Sequence, residues 1–238
     1  MSDNRLIVAL DFSNFDEAAE CVDEIGDAVS YYKVGMELYH ASGNTVIRYL
    51  KDRGKKVFLD LKFLDIPNTV SHAVSVLGSL GVDMLNVHAS GGIKMMRESV
   101  KALHEQAAAL GKEPPKLIAV TVLTSMDEEQ FADLNIAKSI PEQVVNLALL
   151  AKRAGLDGVV ASPNEASAIR EACGSDFLIV TPGVRPEGAS VDDQSRVATP
   201  AGAFKKGATH IVVGRPITKA KDRRAAAEAI VKEIRFIH

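Results

Sequence analysis

Residues 56–68 run Lys-Val-Phe-Leu-Asp-Leu-Lys-Phe-Leu-Asp-Ile-Pro-Asn, which sets an amine, Lys62, between two carboxylates, Asp60 and Asp65. Side chains two apart on a strand leave from the same face, so Asp60 and Lys62 share whatever space this strand lines. Asp65 follows just past the strand end. Charges set so closely are costly to bury unless they pair. The segment reads either as a salt-bridged strand end or as a site that holds a fixed cation between acids for chemistry.

Other reactive groups occupy equivalent places along the chain. Short apolar, β-branched runs occur at Leu6–Leu10, Tyr32–Met36, Val57–Leu61, Met84–His88, Leu117–Leu123, Gly158–Ala161, Leu178–Thr181 and His210–Val213, each followed by a helix-like pattern. Such runs, spaced by helices, predict a parallel sheet covered on its outer face. Eight units in 238 residues predict an α/β chain closed as a (β/α)8 TIM barrel rather than an open sheet. A single domain over residues 1–238 is expected, since no linker, repeat or low-complexity tract interrupts the alternation.

The polar residues gather at the carboxyl ends of these runs. Asp11 follows the first, Lys33 lies on the second, and Asp60 and Lys62 end the third; His88, Thr124 and Ser162 end or follow the next three. Pro182, Gly183 and Arg185 follow the seventh, and Gly214 and Arg215 the eighth. In a barrel these positions converge on one mouth, where active sites of this architecture lie. Gly214-Arg215-Pro216-Ile217 has the makings of a phosphate grip. Gly214 admits a ligand to the backbone, helix N–H groups favour an anion, and Arg215 can fork two hydrogen bonds. A bare turn is the alternative. The stretch 182–197, rich in Gly, Pro and polar groups, reads as a lid, and Arg185 and Gln194 on it can close over the same anion. The stretch 125–141 reads as carrying an extra short helix.

Ser13 or Asn14 is placed to cap a first helix running from Glu17 to Val29, Pro67 fits a helix first turn, and a last helix is expected from Thr218 to Phe236. Hydrophobic residues make up 47% of the chain, enough for a sizeable core, and 28 basic against 31 acidic residues leave a net charge of −3. Neither a nucleic-acid surface nor a membrane surface is implied. Cys21 and Cys173 lie far apart on helix-like stretches and read as reduced, buried thiols. With no signal-peptide pattern and no apolar run near the roughly 20 residues of a span, a cytoplasmic protein is expected. No His, Cys, Asp or Glu set has convincing metal-site spacing. His40, His72, His104 and His210 read as structural, and neither His88 nor Asp127 is given a role.

With these residues in view, the chain resembles the orotidine 5′-phosphate decarboxylase family along essentially its whole length. The resemblance is carried by residues 60–69 (Asp-Leu-Lys-Phe-Leu-Asp-Ile-Pro-Asn-Thr), Thr181-Pro182-Gly183-Val184-Arg185 and Val213-Gly214-Arg215-Pro216-Ile217, with Val8-Ala9-Leu10-Asp11 and Lys33-Val34-Gly35 in support. It implies conversion of orotidine 5′-phosphate to uridine 5′-phosphate and CO₂ in UMP synthesis, without metal or organic cofactor, by a barrel homodimer. It also implies an alternating array of Lys33, Asp60, Lys62 and Asp65, with Asp65 and Thr69 reaching the partner's site. Asp11 is then expected near the ribose, Thr124 near the pyrimidine, and Arg185, Gln194, Gly214 and Arg215 around the phosphate.

These residue types suit that reaction. Loss of CO₂ leaves an electron pair at pyrimidine carbon 6 with no π system to absorb it, so a fixed cation beside that carbon helps most. Acids flanking an amine favour its charged form despite burial, and the same ammonium can then protonate carbon 6. Lys62 is the candidate, with Lys33 positioning Asp60. The nearest alternative is a Mg²⁺-dependent sugar-phosphate decarboxylase or aldolase of the same superfamily. Those enzymes also carry D-x-K-x-x-D but place a metal-binding Glu where this chain has Lys33. A nucleotide-binding barrel without activity is a third reading, and an epimerase-like barrel lacks its histidine set here.

Overall fold

Alternating inward and outward apolar side chains close the strands into a barrel. The computed structural model describes residues 2–186 and 198–237. Among them, β1 (Leu6–Leu10), β2 (Tyr31–Gly35), β3 (Lys56–Phe63), β4 (Met84–His88), β5 (Lys116–Val120), β6 (Gly158–Val160), β7 (Leu178–Thr181) and β8 (His210–Val213) pair in sequence order as a closed parallel barrel. β1 meets β8 with Leu6 opposite Ile211 and Val8 opposite Val213. The expected (β/α)8 fold is therefore present.

The period-two rule sorts the strand side chains. Ile7, Ala9, Tyr31, Phe58, Met84, Ile118, Val180 and Val212 pack together inside the barrel. Their neighbours, such as Val8, Tyr32, Leu59, Leu85 and Ile211, pack outward against the helices. Fully burying an aliphatic or aromatic side chain contributes about 1.5–3 kcal/mol, so a register slip that exchanged the two sets is strongly disfavoured. β6 opens on Gly158 because a Cβ there would collide with the Leu178 carbonyl of β7.

The outer layer comprises α1 (Phe15–Ile25), α2 (Met36–Ser42), α3 (Asn44–Asp52), α4 (Pro67–Gly78), α5 (Gly92–Ala109), α6 (Glu128–Ala132), α7 (Ile140–Ala154), α8 (Ala166–Cys173), α9 (Pro200–Lys205), α10 (Arg215–Thr218) and α11 (Arg223–Ile234). Asn14 caps α1 by accepting the Glu17 N–H at 2.9 Å, and Pro67 sits in the first turn of α4. The extra helix between β5 and α7 is α6, where Asp127 and Gln130 form a capping box, so Asp127 has a structural role. Cys21 and Cys173 are free and buried. None of the described helices is long and apolar enough to cross a membrane.

Several boundaries differ from expectation, β2, β3 and β6 by one or two residues, and three further differences have a local cause. α1 stops at Ile25 because Gly26 takes φ +59°, and a 3-10 turn covers the remainder to Ala28. β5 ends at Val120 rather than Leu123: the Thr121 N–H and hydroxyl both bond the Val160 carbonyl, at 3.2 and 2.8 Å, and turn the chain. The last helix, α11, runs from Arg223 to Ile234 rather than from Thr218 to Phe236, since Asp222 caps it by accepting the Ala225 N–H at 2.8 Å.

Candidate active site at the carboxyl end of the strands

Inward parity carries the polar side chains above the apolar layers. Asp11 continues the row of Ile7 and Ala9, Lys33 that of Tyr31, and Asp60 and Lys62 that of Phe58. Lys33 Nζ lies 3.0 Å from Asp11 Oδ1 and 3.3 Å from Asp60 Oδ2, while Lys62 Nζ lies 2.7 Å from Asp60 Oδ1. Four charges thus alternate as Asp11–Lys33–Asp60–Lys62, and each oxygen of Asp60 holds a different ammonium. Gly35 leaves room for the array, since a Cβ there would stand 3.0 Å from Lys33 Nζ.

The electrostatics favour full ionisation of the inner pair. Burial works against the Asp60 carboxylate, but the Lys33 and Lys62 ammonium groups and hydrogen bonds from Lys62 and Asn86 outweigh it and hold its pKa below the ordinary value. Burial likewise opposes the charge on Lys33, and Asp60 and Asp11 overcome it, so its pKa lies above that of a free amine. The Lys62 side chain is 27% exposed against 10% for Asp60, so Lys62 is the member of this pair that faces open space. His88, half-buried on β4, has its pKa lowered by burial and by the nearby Lys62 charge.

Two connected spaces open over the array. A cavity of about 220 Å³ has Lys62, Asp60 and Thr124 on its polar side, with Phe58, Val120 and Val212 among its apolar walls. A cleft of about 710 Å³ adjoins it, lined by Asp11, Arg185, Gly214 and Arg215. Lys33, Pro182 and Val212 border both. Asp11, Lys33, Asp60, Lys62, Thr124, Arg185, Gly214 and Arg215 are therefore brought to one continuous site. Gly214 has φ −107° and α10 after it is only four residues long, so little helix dipole is available there, and the cations of the cleft lining come from side chains, among them Arg185 and Arg215. A further cleft of about 520 Å³ lies at the opposite end of the barrel, around Tyr31, Lys56 and His210. Its Asp83 and Lys116 are already paired, with Lys51 and Asp157 at 2.7 Å each, and it holds none of the array.

Other expected residues fall elsewhere. Asp65 is exposed and accepts the Ile66 N–H at 2.6 Å; among the described residues it pairs with no ammonium. Thr69 is exposed on the first turn of α4, and neither residue lines either space. Leu64 and Ile66, on either side of Asp65, are 57% and 66% exposed. Gln194 lies outside the described residues, as does most of the stretch 182–197 expected to form a lid. Ser162 is buried and accepts the Asn164 N–H at 3.2 Å, which makes it a turn residue.

The sequence reading misses Asn86. It is fully buried on β4, donates to Asp60 Oδ1 at 2.6 Å, and accepts the Lys62 N–H at 2.8 Å. The available signal is an amide in the apolar run Met84–His88 with the inward parity of Met84. Lys62 itself has φ +53°, a backbone region that costs a non-glycine residue about 1–2 kcal/mol.

A closed (β/α)8 barrel with an array of alternating charge, centred on the buried Asp60, at its carboxyl-end mouth defines a barrel enzyme. Comparison with known proteins narrows the class. The model of the orotidine 5′-phosphate decarboxylase / HUMPS family matches residues 4–230. The orotidine 5′-phosphate decarboxylase of Moorella thermoacetica is 52% identical over 235 residues, covering 98% of this chain and 93% of that protein. That of Geotalea daltonii is 49% identical over 230 residues, covering 97% and 95%. The crystal structure of the Lactobacillus acidophilus orotidine 5′-phosphate decarboxylase superposes with a TM-score of 0.86 at 44% identity, over 97% of this chain and 99% of that one. The chain belongs to the orotidine 5′-phosphate decarboxylase / HUMPS family.

Proposed function

We propose that this enzyme decarboxylates orotidine 5′-phosphate to uridine 5′-phosphate in pyrimidine biosynthesis, with Lys62 as the group that meets the reacting carbon. The observation that carries the assignment of Lys62 is its ammonium, 2.7 Å from Asp60 and facing a largely apolar cavity. In the proposed pose the pyrimidine enters that cavity beside Thr124, the ribose lies over Asp11 and Lys33, and the phosphate rests between Arg185 and Arg215.

The bond between carbon 6 and the carboxylate breaks, CO₂ departs, and the electron pair remains on carbon 6. The Lys62 ammonium stabilises that pair and then transfers a proton to it, giving the carbon 6–hydrogen bond of the product. Apolar walls raise the worth of this interaction relative to water. Asp60 and Lys33 hold the ammonium in place before the charge develops, so little reorganisation is needed. Binding energy from the remote phosphate orders the site.

The Mg²⁺-dependent reading is disfavoured by Lys33, whose ammonium bonds both Asp11 and Asp60 where that chemistry needs a metal-binding carboxylate. We further propose a homodimer in which Asp65 and Thr69 complete the partner's site. The support is their exposure beside Leu64 and Ile66, an apolar, strongly exposed stretch of the kind that marks interaction surfaces. The direct test of the activity is the loss of orotidine 5′-phosphate absorbance, with and without EDTA. Turnover that persists with chelator supports the reading. No turnover, or turnover that needs added Mg²⁺, overturns it.

A further inference from the structure

The β3–β4 ladder breaks where the array is built. Leu59 pairs with Leu85 and the next pair is Phe63 with Val87. β3 therefore advances four residues while β4 advances two, and residues 60–62 bulge into the mouth. At the crest Lys62 has a positive φ, and its N–H leaves the ladder. The Asn86 side chain takes that N–H at 2.8 Å and donates to Asp60 Oδ1 at 2.6 Å. The amide orientation is fixed by its partners, because a backbone N–H only donates and an ionised carboxylate only accepts. Asn86 is fully buried and borders neither the cavity nor the cleft.

We propose that Asn86 is a positioning residue for the decarboxylation: its one amide holds the Lys62 backbone in its bulged conformation and aims Asp60 so that one oxygen faces Lys62 and the other Lys33. This rests on the decarboxylase reading. The amide is suited to both tasks because it donates and accepts at once. Leucine, of similar volume, does neither. Aspartate as a carboxylate accepts but repels Asp60; once protonated, its O–H donates to Asp60 and its carbonyl accepts from Lys62. A buried pair of carboxylates shares a proton with a raised apparent pKa.

The test uses Asn86→Leu and Asn86→Asp with kcat, KM and affinity for uridine 5′-phosphate. Misplacing a reacting group by about 1 Å costs on the order of 100-fold, so Asn86→Leu is expected to lose about that factor in kcat while product affinity changes less than about threefold. The kcat of Asn86→Asp relative to the parent is expected to rise at least about tenfold from about pH 8 to about pH 5 as residue 86 takes up a proton. The corresponding ratio for Asn86→Leu stays flat. Retention of kcat by Asn86→Leu, loss of kcat in step with product affinity, or a flat ratio for Asn86→Asp overturns the proposal. If Asn86→Leu does not fold, the pH response of Asn86→Asp decides alone. A parent without decarboxylase activity sinks the function instead. The positioning is then read from the crystal structure of Asn86→Leu, where a Lys62 that keeps its positive φ refutes it and one that leaves that region supports it.

Discussion

His210 opens β8 with its partly buried ring lining the cleft at the opposite end of the barrel, edge-on to Tyr31 at 6.2 Å between centroids and with Nδ1 3.0 Å from the Thr209 hydroxyl. Burial, with help from the Lys56 charge, lowers its pKa from 6.5 to about 4. A depressed histidine contributes stability that is complete above the unfolded value and is lost as pH falls toward the folded one, because the unfolded chain then binds the extra proton. Between 6.5 and 4 the full loss is about 3 kcal/mol; at about pH 5 it is about 2 kcal/mol, and at about pH 7.5 it is close to nil. His210→Gln keeps a polar side chain of similar size and removes the titration. Urea unfolding of parent and variant at both pH values isolates the term by linear extrapolation. The parent should lose about 2 kcal/mol more than the variant on acidification. Asp60, whose pKa is held below its ordinary value, sheds its contribution at lower pH and does not enter this window. Parallel losses within about 0.5 kcal/mol would refute the claim that burial holds this ring neutral.

Lys62→Ala should reduce decarboxylation by at least about 10⁴-fold, since it removes both the cation and the proton donor, while calorimetry still detects uridine 5′-phosphate binding; retained turnover would remove Lys62 from the mechanism. Arg215→Ala should lower kcat/KM by about 3 kcal/mol, the worth of two charge-assisted hydrogen bonds to phosphate, and a loss below about 1 kcal/mol would contradict its place at the phosphate. Mixing Asp65→Ala with Lys62→Ala subunits should restore about a quarter to a half of parental activity if each site takes Asp65 from the other chain. Silence of the mixture, with a dimer present by light scattering, would place Asp65 outside the partner's site.

Much of the architecture is legible because it obeys one period. Inward parity from Phe58 predicts that Asp60 and Lys62 share a space, and the same rule puts Asp11 and Lys33 beside them. What parity cannot show is the bulge. A lysine at positive φ is held by its surroundings rather than by its own preference, so no local pattern announces it. Asn86 escapes for a related reason: its importance lies in two partners, one of them a backbone N–H that an unbroken ladder would have used. Thr121 shortens β5 through a side-chain bond to Val160, again a tertiary contact that overrides an apolar run. Asp65 is exposed past the end of β3, as its place just beyond the strand in the sequence leads one to expect, and whether it meets a second chain is not something spacing within one chain can reveal.

The charge array draws on β1 to β3, with its supporting amide on β4, whereas Arg185 and Arg215 follow β7 and β8. On the proposed reading, bond-breaking falls to one arc of the rim and phosphate anchoring to the other. Redesign aimed at a different anionic tail can be confined to residues after position 180, leaving the reactive arc and its supporting amide untouched.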